Sequence, residues 1–204
     1  MRPLIKICGL RRTSDALLAR DLGASLLGVV TAEDSPRGST RNEVASMARI
    51  SSLRSRLVLV FRGVERGAIH DLARTTAVQR VQIHGASEED CVWLEDCGLL
   101  VHRVYQMNAG SRYLPALEPP PTRERPAVLD LGCGGGGQAF DWNLLGERAP
   151  DATYVAGGIR PDNVQALLKY KPYGIDVSSG VEASPGVKDP AAMRQLFDAM
   201  EMKS

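Results

Sequence analysis

A thiol and a carboxylate facing each other across one cavity can serve as base and acid on a single substrate, and this chain places one of each at the end of an apolar run. Cys8 lies in KICGL, which starts at Lys6, and Asp130 lies in VLDLG, which starts at Val128. A free cysteine is most often just a small buried hydrophobe. The position of Cys8 at a strand end, directly before Gly9, favours chemistry instead. A thiol ionises near pH ~8.5 unless assisted. Lys6, two residues earlier on the same face, is placed either to favour the thiolate through its charge or to neutralise Asp176.

Three further groups look suited to holding an anion. Gly157 and Gly158 end one apolar run, and Ser178, Ser179 and Gly180 end the next. Adjacent loops of bare backbone N–H groups suit phosphate, the usual ligand at the last two strand ends of an α/β barrel. Arg37, stiffened by Pro36, offers a guanidinium whose fork matches a carboxylate. His84 reads as a hydrogen-bonded wall residue, and Cys133 lies in a glycine-rich loop without assigned chemistry.

These groups need many strands to carry them. Short β-rich runs recur at Leu4 to Cys8, Leu26 to Val30, Leu57 to Phe61, Val78 to Ile83, Leu99 to Tyr105, Ala127 to Leu131, Thr153 to Ala156 and Gly174 to Val177. Helical stretches separate them, with a capping box at Thr40 and Glu43, a cap at Ser87, and Asp189 with Pro190 opening the last helix. Between the fifth and sixth runs, Ser111 to Leu117 is too short and too close to Pro119, Pro120 and Pro121 to make a good helix, so that connection is read as irregular. Alternating strands and helices imply parallel pairing, and eight units close a barrel. A single (β/α)8 TIM-barrel domain over residues 1–204 is therefore expected. Strand alternation turns Ile5, Ile7, Val81, Ile83, Ile175 and Val177 toward the helices, and Lys6, Cys8, Gln82, His84 and Asp176 inward.

Composition narrows the classes. Lys and Arg total 25 against 24 Asp and Glu, a formal net charge of +1 with no basic cluster, which argues against a nucleic-acid partner. No signal-peptide pattern and no apolar run of membrane-spanning length is present, so a cytoplasmic protein is expected. In that compartment the four cysteines should be reduced thiols, and their spacings form no paired zinc motif. No metal is expected from the cysteines.

The string VLDLGCGGG resembles the first motif of S-adenosylmethionine-dependent methyltransferases, but that motif normally opens a doubly wound sheet, and too little chain follows Gly137 to build one. A second resemblance covers nearly the whole chain. KICGL, the Ser-Pro-Arg loop, VQIHG, GGGGQAFDW, AGGI-x-P-x-N-V with Pro161 and Asn163, and DVSSGVE-x-x-PG-x-KD through Asp189 occur in the order and approximate spacing of the phosphoribosylanthranilate isomerases. That resemblance implies a cofactor-free Amadori rearrangement in tryptophan biosynthesis, acting on a small molecule, phosphoribosyl anthranilate. It also implies Cys8 as general base, Asp130 as general acid and Arg37 on the anthranilate carboxylate. Asp176, Gly135, Gly136, Gly157, Gly158, Ser179 and Gly180 would bind substrate. The related barrel isomerase of histidine biosynthesis, and a bifunctional relative, carry a carboxylate where this chain has Cys8, so the cysteine favours the anthranilate substrate. A non-catalytic phosphate-binding barrel is the remaining class, and Cys8 together with Asp130 speaks against it. Three features depart from the commoner family pattern without removing a named group: GVVTAEDSPR lacks an aromatic residue, the acid is followed by LGC, and the loop has four successive glycines.

Overall fold

The computed structural model describes residues 2–32, 34–107, 111–131 and 141–201. Eight parallel strands close into a barrel in chain order: β1 (Leu4–Ile7), β2 (Leu26–Val30), β3 (Leu57–Arg62), β4 (Arg80–His84), β5 (Leu100–Met107), β6 (Ala127–Leu131), β7 (Thr153–Ala156) and β8 (Gly174–Val177). Closure comes from β1 pairing with β8, which sets Lys6 beside Asp176. The VLDLG run is thus the sixth strand of a ring, between β5 and β7. That position removes the doubly wound methyltransferase alternative.

The two-residue period of each strand separates two apolar layers. Ile5, Ile7, Val81, Ile83, Ile175 and Val177 belong to the layer between barrel and helices. Cys8, Leu26, Val58, Val60, Val128 and Tyr154 fill the interior. The inward positions expected from the sequence are therefore the observed ones. Tyr154 and His102 stack in the lower interior, and burial, with Lys6 and Arg80, depresses the His102 pKa to about 3, so its ring is neutral.

Around the barrel run α1 (Thr13–Asp21), α2 (Arg41–Ala48), α3 (Ser51–Arg54), α4 (Arg66–Thr76), α5 (Glu88–Asp96), α6 (Val164–Leu168) and α7 (Pro190–Glu201). Thr40 and Glu43 form the reciprocal capping box of α2. Ser87 accepts from the Asp90 N–H at the start of α5, and the Asp189 carboxylate accepts from Ala191 and Ala192 at the start of α7. The connection from β5 to β6 has no helix among its described residues, as the prolines imply. Val78 was expected in β4 but closes α4 instead: Ala77 is left-handed at φ 54° and the Val78 N–H bonds back to Ala73. An unforeseen element follows β8. A short 3₁₀ turn (Ser179–Val181) leads into an antiparallel hairpin of β9 (Glu182–Ser184) and β10 (Val187–Lys188).

Candidate active site

Cys8 continues β1 beyond Ile7, its N–H bonded to the Val177 carbonyl at 2.8 Å, and the side chain is buried with only 8% exposure. Below it, Lys6 is fully buried and donates to Asp176 Oδ2 at 2.6 Å and to Gln82 Oε1 at 2.7 Å. Gln82 reaches on to His84. His84 is held near a pKa of about 4, chiefly by burial and then by Arg62 and Lys6, so it is a neutral wall residue at physiological pH. Burial alone would pull the Lys6 pKa down, but Asp176 and then Cys8 outweigh it and the net direction is up. Lys6 thus pairs with Asp176, while burial raises the Cys8 thiol pKa and the Lys6 charge only partly opposes that rise.

Removing that lysine should be costly, because breaking a buried pair strands the other charge. Lys6→Met is expected to lower stability by roughly 3–5 kcal/mol in urea denaturation at neutral pH. A loss below about 1 kcal/mol would show that Asp176 finds another partner. With its pKa raised in the fold, the lysine contributes fully below its ordinary 10.5, and the contribution disappears as pH climbs through the raised value.

Above Cys8, the β1, β2 and β8 ends converge. Gly9 leaves space that a Cβ would fill, 2.9 Å from Arg37 Cδ and 3.0 Å from Ser178 Oγ. Arg37 does not present a free fork. Its Nε and Nη2 edge grips Glu182, with Nη2 to Oε2 at 2.7 Å. Glu182 is also bonded by the fully buried Lys188 at 2.9 Å, and Lys188 donates to the Ser178 carbonyl at 3.0 Å. The hairpin braces the Arg37 loop too, because Gly186 lies against the Pro36 carbonyl. Burial works against ionised Glu182, yet Arg37 and Lys188 hold its pKa below the usual value. Sequence reasoning passed over both residues. The available signal was an acid and a base flanking Pro185-Gly186, a hairpin-like spacing.

At the ends of β7 and β8, Gly157 and Gly158 adopt φ of 93° and 64°, a left-handed pair that bends the chain away from the strand. Asn163 holds the bend with both ends of its amide, donating to the Gly158 carbonyl and accepting from the Arg160 N–H, each at 2.8 Å. Ser179 and Gly180 form the 3₁₀ turn. A Cβ at Gly180 would strike the Ile159 carbonyl, so the two glycine loops pack directly together. Asp130, also buried, stands beside Gln106 in register, on a strand separated from β1 by β7 and β8. Gly135, Gly136 and Cys133 lie outside the described residues. Among the described residues no cluster of three or more His, Cys, Asp or Glu is arranged to hold a metal.

A closed parallel barrel with a buried thiol, an inward carboxylate and paired glycine loops at its strand ends has the build of a (β/α)8-barrel enzyme with its site at the strand ends. Residues 5–199 match the family model for N-(5′-phosphoribosyl)anthranilate (PRA) isomerase, and the chain belongs to that family. The N-(5′-phosphoribosyl)anthranilate isomerase of Citrifermentans bemidjiense is 37% identical over 201 residues, 95% of this chain and 94% of that one. The tryptophan biosynthesis protein TrpCF of Yersinia pestis is 34% identical over 97% of this chain, which spans 41% of TrpCF. A crystal structure of phosphoribosyl anthranilate isomerase in complex with reduced 1-(o-carboxyphenylamino)-1-deoxyribulose 5-phosphate matches with a TM-score of 0.78 at 26% identity, over 98% of each chain.

Proposed function

We propose that residues 1–204 act as one barrel domain that converts N-(5′-phosphoribosyl)anthranilate to 1-(o-carboxyphenylamino)-1-deoxyribulose 5-phosphate, with Asp130 as acid and Cys8 as base. The Asp130 carboxyl gives its proton to the ribose ring oxygen as the C1′–O bond breaks, and the anilino nitrogen lone pair forms the Schiff base. The Cys8 thiolate then removes the C2′ proton, and the electron pair moves into C1′–C2′ to give the enolamine. Reprotonation at C1′ and loss of the 2′-hydroxyl proton yield the ketose. Only protons move, so the chemistry calls for no redox or group-carrying cofactor.

The observation that carries this reading is the setting of Cys8: a buried thiol at a strand end, lying against a glycine that admits Arg37 and Ser178 beside it. Arg37 would meet the anthranilate carboxylate with its Nη1 edge. The loops of Gly157, Gly158, Ser179 and Gly180 would take the phosphate, and Gly135 and Gly136 are assigned to substrate binding on the family resemblance alone. Asp176 Oδ1, buried without a hydrogen-bond partner among the described residues, is suited to accept from a ribose hydroxyl. No helix among the described residues is long and apolar enough to cross a membrane, which fits the cytoplasmic location we propose. The test is loss of anthranilate-type fluorescence of the substrate on adding purified protein, with and without S-adenosylmethionine. Turnover without it supports the reading, and a requirement for it would refute the isomerase assignment.

Arg37→Met should weaken binding of carboxylate-bearing product analogues by about tenfold or more, while binding of ribose 5-phosphate changes little, because only the former can use the guanidinium. Lys188 still neutralises Glu182 in that variant. Paired dissociation constants decide the matter, and equal losses for both ligands would place Arg37 at the phosphate.

A further inference from the structure

Gly28 is the one inward position of β2 without a side chain, between Leu26 and Val30, which both pack into the barrel interior. Its backbone is not among the positive-φ residues, so a turn does not explain the glycine. Space does. A Cβ built on Gly28 would lie 2.7 Å from Cys8 Sγ, closer than non-bonded atoms tolerate, and 3.1 Å and 3.2 Å from Cys8 Cα and Cβ.

The two backbones cannot simply part. Cys8 N–H is bonded to Val177 at 2.8 Å on one side, and Leu10 N–H is bonded to the Gly28 carbonyl at 3.0 Å on the other. The contacts to Cα and Cβ need only a few tenths of an ångström of relief, whereas the sulfur, at the free end of a single torsion, is the atom that can leave. We infer that Gly28 is a positioning residue for Cys8: its missing side chain forms the slot that holds the thiol in its working rotamer. The inference rests on Cys8 being the base. One staggered step about χ1 would carry the sulfur roughly 3 Å, and a displacement of about 1 Å already costs on the order of 10²-fold in rate.

Gly28→Ala is therefore expected to lower kcat by about 10²-fold or more while the dissociation constant for reduced 1-(o-carboxyphenylamino)-1-deoxyribulose 5-phosphate stays within about threefold of wild type. Thiol alkylation by iodoacetamide should also change its pH dependence, which a purely structural role would leave alone. A folded Gly28→Ala with kcat within about threefold of wild type overturns the inference. Should Gly28→Ala fail to fold, adding Cys8→Ala must restore folding, since it removes the obstructing sulfur; failure of the double variant also overturns it. Cys8→Ser assayed in parallel separates the two readings. An active Cys8→Ser sinks the base itself and this inference with it, whereas an inactive Cys8→Ser beside a fully active Gly28→Ala refutes the role of Gly28 alone.

Discussion

Cys8→Ser is expected to reduce kcat by at least about 10³-fold with little change in affinity for product analogues, since general-base catalysis contributes on the order of 10²–10⁴-fold and the hydroxyl keeps nearly the same size while being far too weak an acid to ionise. The surroundings of Cys8 also set a pH dependence. Burial raises the thiol pKa above its ordinary value, Lys6 pulls it back most strongly, Asp176 adds to the rise, and Lys188 opposes it. In the free enzyme the thiolate fraction is therefore small at neutral pH and grows as pH increases, so wild-type kcat/KM should climb on the alkaline side. A profile flat from about pH 6 to 9 would be inconsistent with this thiol as the base. Activity of Cys8→Ser within about tenfold of wild type, only about 1.4 kcal/mol of barrier, would sink the assignment.

Asp130→Asn should be comparably damaging, on the order of 10²–10⁴-fold in kcat. The amide fits the same buried site on β6 but has no proton acidic enough to pass to the ring oxygen as it leaves. KM should move little, because the shape and most hydrogen-bonding capacity are retained. Single-turnover kinetics would place the block before Schiff-base formation. Normal turnover with weaker binding would instead make Asp130 a binding group, and another acid would have to supply the proton.

By itself the sequence determined the eight strands, their inward and outward faces and the starts of three of the seven helices, because these signals are local. Alternation at period two placed Lys6, Cys8, Gln82 and Asp176 inside, and caps such as Thr40 with Glu43 act over three residues. The strand-end identities of Cys8 and Asp130 were legible for the same reason. Val78 shows the limit, since a left-handed helix exit at Ala77 claimed a residue of strand-like type. The tertiary structure alone decided which charges meet. Lys6 and Asp176 are 170 residues apart, and Arg37 and Glu182 are 145 apart. Their pairing follows from barrel closure between β1 and β8 and from the hairpin after β8, neither of which leaves a local periodic trace. The fit of Gly28 against Cys8 Sγ is likewise a matter of ångströms between two adjacent strands, a distance that exists only once the register is set.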